Sequence, residues 1–156
     1  MALLQHQLYI KESKIPGAGN GLFTKSFIAK GTRVIEYKGK ITTWKKVLEG
    51  KDFNGYVYYI KANYVIDAKT YKKALARYAN DARGITRVKG IVNNSIYVQE
   101  GKKVFVDAIK DIPADSEIYV AYGKEYWDVI RQNRKELSKE NKRIKKNNPG
   151  RETKAQ

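Results

Sequence analysis

Short apolar and β-branched runs dominate the first two thirds of the chain. They alternate with clusters of Gly, Asn and Asp, a pattern typical of short β-strands. The predicted strands are Leu8–Lys11, Arg33–Tyr37, Tyr56–Ile60, Tyr64–Ala68, Ile91–Val98, Val104–Ile109 and Glu117–Tyr122. Residues 111–115 supply turn chemistry between the last two strands. We therefore expect a mainly β fold with a few short helices.

Two short helices are predicted from capping residues. Thr43 is placed to cap a helix over Trp44–Glu49 that stops at Gly50, and Thr70 to cap a turn or two that reaches Arg77.

The pattern changes toward the carboxyl end. After residue 125 the strand signals stop, and a thin apolar stripe runs along a very basic helical sequence. We expect one domain over residues 1–130 and a basic tail, helical to disordered, over residues 131–156. The last ten residues have the composition of a disordered segment.

The residue inventory excludes several kinds of chemistry. The 156 residues include one histidine, His6, and no cysteine, which rules out disulfides and thiolate zinc sites. We expect no metal site. No apolar run is long enough to span a membrane, so we expect a soluble, intracellular protein without a membrane partner.

The charge points to acidic or polyanionic partners. Lys and Arg number 32 against 16 Asp and Glu, a net charge of +16. Such a charge raises the encounter rate with nucleic acid or acidic protein but does not define the fold. A nucleic-acid-binding protein therefore remains open at this point.

Four segments carry candidate chemistry. They are a glycine-rich loop (Gly17–Phe23), an Asn-Asp segment (Ala76–Gly84) that follows Ile66-Asp67-Ala68, an asparagine pair (Asn93-Asn94), and the stretch Asp111–Gly123. The loop lacks the spacing of a dinucleotide-binding motif and of a P-loop. Each segment alone is weak, because glycines and asparagines are common in turns. Their order and spacing together are more specific.

Together these segments resemble the SET-domain protein lysine methyltransferases, which carry a GxG loop, an ARFINHS segment, a PN pair and a DIPAGEEL…YG ending. The resemblance covers about residues 8–127. It implies a fold of small curved sheets with a knot-like threading of the carboxyl-terminal segment past the loop around residues 80–94, followed by a helix.

The resemblance also implies the cofactor S-adenosylmethionine, with S-adenosylhomocysteine as product. Residues carried over to the cofactor site are Ala18, Gly19, Asn20, Arg77, Tyr78, Asn80, Asp81, Tyr122 and Trp127. Trp127 is expected to stack on the adenine, with Tyr126 as the competing aromatic residue.

Tyr122 corresponds to the catalytic tyrosine of the family, and Tyr37, Tyr97 and Val120 correspond to the channel of the substrate lysine. A narrow, poorly hydrated channel disfavours the charged ammonium, so the amine can enter neutral. Because Tyr37 and Tyr97 crowd the channel, we expect mono- or dimethylation rather than trimethylation.

The chain departs from the family pattern at two places. Asp81 stands where the family has histidine, so any imidazole contribution is lost. The zinc-binding cysteines that follow many SET domains are absent. The segment after Tyr122 is therefore expected to close the lysine channel by other means.

The expected function is protein lysine methylation, with a histone or another basic, nucleic-acid-associated protein as substrate. Docking of the basic tail on nucleic acid or a nucleosome, a homodimer, and a nuclear or nucleoid location are further expectations. The alternative is a binding module, either an inactive SET-like domain or an unrelated basic β-barrel that stacks nucleic-acid bases on tyrosines.

Overall fold

The computed structural model describes residues 3–50, 54–84 and 86–123, and in the tail residues 132, 135, 139–140 and 142–144. The chain divides into two compact units, Met1–Ala121 and Tyr122–Gln156. The first unit holds every strand of the described residues.

These strands form small sheets that are antiparallel except for one parallel pair within the four-stranded sheet. The elements are β1 (Leu8–Glu12), β2 (Asn20–Thr24), β3 (Arg33–Glu36), β4 (Lys40–Thr42), α1 (Trp44–Leu48), β5 (Val57–Lys61), β6 (Tyr64–Asp67), β7 (Ser95–Glu100), β8 (Lys103–Ala108), β9 (Ser116–Ile118) and β10 (Val120–Ala121). The strand orders are β1-β2-β9, β10-β7-β8-β3 and β4-β6-β5. The prediction of a mainly β fold with short helices is confirmed.

Fully buried apolar side chains fill the space between these sheets. They come from β2, β3, β6, β8, β9 and β10 and from the bridge between Ile28 and Ile112, and they are Leu22, Phe23, Ile28, Val34, Val65, Val104, Val106, Ile112, Ile118 and Val120. Their alternation with less buried neighbours is clear on β8, where Val104, Val106 and Ala108 point inward.

The helix predictions have opposite outcomes. The Thr43 hydroxyl accepts a hydrogen bond of 3.2 Å from the Lys46 amide and caps α1, which confirms that prediction. The prediction for Thr70 was wrong. The chain there makes consecutive tight turns, with the Tyr71 amide donating to the Ala68 carbonyl, and a 3-10 turn forms only at residues 75–78.

The final strand prediction needs a correction that matters for the site. The stretch Glu117–Tyr122 is split into β9 and β10, which belong to different sheets. At Tyr119 the chain crosses between them, and its carbonyl accepts bonds from the Ser95 amide (3.0 Å) and the Ser95 hydroxyl (2.8 Å). On the other side, the Val120 amide donates to the Asn80 carbonyl at 2.9 Å.

The segment around Tyr119 therefore runs between the backbone at residue 80 and the start of β7, and β10 pairs with β7 in parallel. This confirms the expected passage beside the loop around residues 80–94. A knot-like threading stays a prediction.

The described tail positions have helical backbone. The Arg143 guanidinium forms an exposed ion pair with Glu140, three residues earlier. None of the helices among the described residues is long and apolar enough to cross a membrane.

Candidate functional site

The glycine-rich loop between β1 and β2 presents its backbone to open space. Gly17 and Gly19 have φ values of 79° and 73°, a region that glycine adopts without strain. A methyl group at either position would meet no atom within 4 Å. The Ser13 amide donates to the Gly19 carbonyl at 2.8 Å and closes the loop. Ala18 is half-buried, whereas Gly19 and Asn20 are exposed.

A buried carboxylate holds this loop in place. Glu117 on β9 is 2% exposed, and its Oε2 accepts a 2.7 Å bond from the Ser13 hydroxyl. Its Oε1 accepts bonds of 2.9 Å from the Lys14 amide and from the Tyr119 hydroxyl. Three donors on one buried carboxylate make up for much of the lost hydration. Glu117 thus ties the loop to the strand that leads toward Tyr122.

Gly21 provides the room that Glu117 needs. A methyl group at Gly21 would come within 2.9 Å of the Glu117 carboxyl carbon and 3.3 Å of the Ser13 α-carbon. Sequence reasoning did not select Glu117. The available signal was a lone carboxylate between apolar residues in a predicted strand.

Tyr119 shares the buried environment of Glu117. It packs with Ile15 and Ala82 in a small apolar cluster to which Ala18 is also adjacent. Burial, together with the hydrogen bond to Glu117 and its negative charge, raises the pKa of the Tyr119 phenol well above its usual range. The phenol therefore stays protonated and remains a donor to Glu117.

Asn80 lies against the glycine loop, as expected for a residue of the same site. Its amide nitrogen donates to the Asn20 carbonyl at 3.0 Å and lies 3.5 Å from Glu117 Oε2. The structure thus brings together Asn20 and Asn80, which are far apart in sequence.

Asp81, at the family's histidine position, joins two loops. Its Oδ1 accepts bonds from the Arg83 amide (2.8 Å) and the Asn93 side chain (2.9 Å). Asn93 in turn accepts a 2.8 Å bond from the Ala82 amide. The Asp81 side chain is 6% exposed. A carboxylate paired with an amide therefore joins the two loops at this position.

The side chains of Arg77 and Tyr78 fasten a neighbouring segment. Arg77 Nη1 donates to the carbonyls of Ala68 (3.2 Å) and Lys69 (2.9 Å), and its guanidinium stacks 4.2 Å from the Tyr56 ring centre. The Tyr78 hydroxyl donates to the Lys72 carbonyl at 2.7 Å. The turn that carries both residues packs against β1 and β2. A cofactor role for these two residues stays a prediction.

Three tyrosine rings from different strands form a second cluster. Tyr37, after β3, meets Tyr97 of β7 edge to face at 5.8 Å between ring centres. Tyr58 of β5 lies 5.6 Å from Tyr97 and 6.4 Å from Tyr37. The Tyr37 hydroxyl donates to the Tyr56 carbonyl at 2.7 Å, which fixes its ring. We call Tyr37, Tyr58 and Tyr97 the tyrosine cluster.

Burial affects the ionisation of one member of the tyrosine cluster. Burial raises the pKa of the Tyr58 phenol, which shows that ionisation of this group is disfavoured. Sequence reasoning selected Tyr37 and Tyr97 and missed Tyr58, because its position depends on the pairing of β5 with β6. Val120 is fully buried and pairs with Ser95, two residues before Tyr97.

Two predicted site residues lie at or beyond the end of the first unit. Tyr122 directly follows β10 and is the first residue of the second unit. Trp127 and its competitor Tyr126 lie outside the described residues. Among the described residues, no group of three or more His, Asp or Glu side chains is placed to hold a metal ion.

Comparison with known proteins identifies the family. The family model of the SET domain matches residues 19–123, about two thirds of the chain, and the chain belongs to this family. It is 32% identical over 121 residues to the Caenorhabditis elegans protein named histone-lysine N-methyltransferase set-17. The aligned region covers 75% of this chain and 41% of the relative. The chain thus spans less than half the length of that relative.

A solved structure supports the same fold. The methyltransferase domain of human PR domain-containing protein 2 matches with a TM-score of 0.56 and 21% identity, over 77% of this chain and 79% of the human domain. The resemblance to SET domains is confirmed, and an unrelated basic β-barrel is excluded.

Proposed function

We propose that this chain is an S-adenosylmethionine-dependent protein lysine N-methyltransferase. The observation that carries the proposal is the tyrosine cluster, in which Tyr37, Tyr58 and Tyr97 meet within one SET domain. Aromatic rings and phenolic oxygens in a weakly hydrated site suit a lysine side chain that must lose its proton before it reacts.

The residues present fit the cofactor. The open backbone at Gly17 and Gly19 allows close approach of a ligand, and Ala18, Gly19 and Asn20 would lie along its methionine end. Asn80, bonded to the Asn20 carbonyl, would contact the same molecule together with the Asp81 backbone. When bound, S-adenosylmethionine supplies a methyl group activated by a positively charged sulfur. The proposed cofactor site also includes Arg77, Tyr78 and Trp127.

The protein's own part in the reaction is alignment. The tyrosine cluster and Val120 would exclude water from the lysine side chain, and Tyr122 would orient the neutral amine. Holding the amine nitrogen about 3 Å from the methyl carbon in line with the breaking bond supplies much of the rate. No strong base is needed, because the lysine loses its proton to solvent before transfer.

We infer a histone or another basic, nucleic-acid-associated protein as the substrate, and a nuclear or nucleoid location. The name of the Caenorhabditis elegans relative and the net charge of +16 support this inference. A basic enzyme is drawn to assemblies in which the substrate lies beside nucleic acid.

Methyl transfer from radiolabelled S-adenosylmethionine to core histones and to a cell lysate tests the proposal. Wild type is expected to label lysine, and Tyr122→Phe, which removes one hydroxyl, to lose most of the activity. Tyr71→Phe is the matched control, because Tyr71 is 45% exposed and lies outside the proposed site.

Two outcomes of these experiments would contradict the proposal. If neither substrate is labelled and calorimetry detects no binding of S-adenosylmethionine, the chain is an inactive SET-like binding module. Equal activity of Tyr122→Phe and wild type would remove Tyr122 from the catalytic role.

A further inference from the structure

An exposed aromatic pair lies on the three-stranded sheet β4-β6-β5. Trp44 of α1 and Tyr59 of β5 meet edge to face, with ring centres 5.3 Å apart. Their exposures are 38% and 50%, although large aromatic residues are usually well buried. Tyr59 neighbours Tyr58 in sequence but points to the opposite face of the strand, away from the tyrosine cluster.

Exposed lysines lie on the elements that carry or border this pair. Lys45 and Lys46 follow Trp44 on α1, and Lys40 lies on edge strand β4. Among the described residues, no carboxylate forms an ion pair with any of them. We call Trp44, Tyr59 and these lysines the Trp44 face.

One acidic residue of this sheet, Asp67, accepts hydrogen bonds from neutral groups. Asp67 stands opposite Lys40 in the β4–β6 register, but its Oδ1 accepts bonds from the Asn54 side chain (3.0 Å) and the Lys69 amide (2.9 Å). Because no ion pair among the described residues involves Lys40, Lys45 or Lys46, their ammonium groups are available to an outside partner.

The composition of the Trp44 face fits nucleic acid better than protein. Lysine is depleted in protein–protein interfaces, whereas protein–nucleic acid interfaces are strongly positive. Lysine ammonium groups bind phosphate as point charges, and exposed rings offer surfaces on which bases stack. Bases in a duplex are stacked on one another, so a ring pair on a surface meets them only in a single strand.

We propose that the Trp44 face binds single-stranded nucleic acid, with phosphates on Lys40, Lys45 and Lys46 and a base on the ring of Trp44 or Tyr59. The proposal goes beyond methyl transfer and does not depend on it, because neither the cofactor nor the tyrosine cluster takes part. It also differs from docking through the tail, since it assigns binding to the first unit.

Fluorescence anisotropy of the full chain with a short labelled oligothymidylate, measured over a range of salt concentrations, tests the proposal. Trp44→Ala and Tyr59→Ala are expected to weaken binding by roughly ten-fold each at fixed salt and to leave the salt dependence unchanged. Trp44→Phe and Tyr59→Phe should retain most of the affinity because they keep a ring.

The lysines give an independent readout that does not depend on how well α1 tolerates an aromatic substitution. The double variant Lys45→Gln/Lys46→Gln should lower the slope of log affinity against log salt by roughly 0.7 for each phosphate that the variant no longer binds. Lys25→Gln and Phe27→Ala are matched controls on another exposed part of the chain, and we expect wild-type binding from both.

Three results would overturn the proposal. The first is wild-type binding by all variants of the Trp44 face, which would assign the affinity to other cations. The second is equal binding of a duplex, with no effect of the ring substitutions. The third is that the variants of the Trp44 face bind the oligonucleotide as wild type does but lose binding to an acidic peptide such as polyglutamate.

Discussion

At the scale of single residues, Glu117 is the side chain on which the geometry of the glycine loop depends most. Glu117→Gln keeps the shape but replaces one carboxylate oxygen by an amide that faces donors from Ser13, Lys14 or Tyr119. We expect a loss of about 1.5–3 kcal/mol in the free energy of unfolding, the usual range for hydrogen bonds to a charged group. Denaturant titration of wild type and Glu117→Gln measures this loss.

Glu100→Gln is the control for this substitution. Glu100 also accepts hydrogen bonds, from the Arg33 guanidinium, but its side chain is 59% exposed. Exposed ion pairs contribute little to stability, because water and salt screen them. If Glu117→Gln costs no more stability than Glu100→Gln, and calorimetry finds the same affinity for S-adenosylmethionine as wild type, Glu117 does not fix the loop.

The raised pKa of Tyr119 predicts how the stability of the fold changes at alkaline pH. Because its pKa is raised in the folded protein above the ordinary value of 10.0, the protonated phenol stabilises the fold fully below pH 10. As pH rises above the unfolded value, the unfolded chain loses this proton first, so stability falls. Tyr119→Phe should be less stable than wild type at neutral pH and lose less stability above pH 10. Parallel curves would contradict this assignment.

At the scale of secondary structure elements, local signals were sufficient where the cause of the structure is local. Thr43 predicted α1 correctly because a cap and its amide are three residues apart. The strands β7 and β8 were predicted from their β-branched and aromatic runs, although β7 begins at Ser95 and not at Ile91. The strand β4 was missed because it is a short edge strand. It runs along β6 where Gly39 permits contact, since a methyl group there would lie 2.6 Å from the Asp67 carbonyl carbon.

The same distinction between local and long-range causes explains which residues of the candidate site could be predicted. The motifs located Asn20, Asn80 and the two tyrosines Tyr37 and Tyr97, since each belongs to a recognisable segment. Glu117 and Tyr58 were missed, because their roles arise from contacts between distant parts of the chain. The spacing between Ser13 and Glu117 is 104 residues, and no local pattern predicts such a contact.

The tyrosine cluster, assembled from β5, β7 and the end of β3, determines how many methyl groups fit if the proposed function holds. With Tyr58 5.6 Å from Tyr97, we expect wild type to produce mono- and dimethyllysine. Tyr58→Ala should open the cluster and increase the share of higher methylation states, whereas Tyr58→Phe keeps the ring and should change it less. Mass spectrometry of the product decides, and mainly trimethyllysine from wild type would contradict the expectation.

At the scale of the whole molecule, charge is distributed so that the tail and the Trp44 face have different uses. Residues 138–156 contain seven Lys and Arg against two Glu, with little apolar sequence. Such a segment attracts polyanions over a range set by the salt concentration, without specific contacts. The Trp44 face combines exposed aromatic rings with lysines, so it can distinguish single-stranded nucleic acid from a duplex.

Deletion of residues 138–156 tests the use of the tail. If the tail docks the enzyme on nucleic acid, tethering raises the effective concentration of the substrate lysine near the site. The deletion should then reduce methylation of reconstituted nucleosomes several-fold and leave methylation of a free histone peptide unchanged, and the difference should shrink as salt is raised. An equal loss on both substrates would instead place the tail in the folding or the chemistry of the domain. No loss on either would leave the first unit, with its Trp44 face, as the surface that attracts the polyanion.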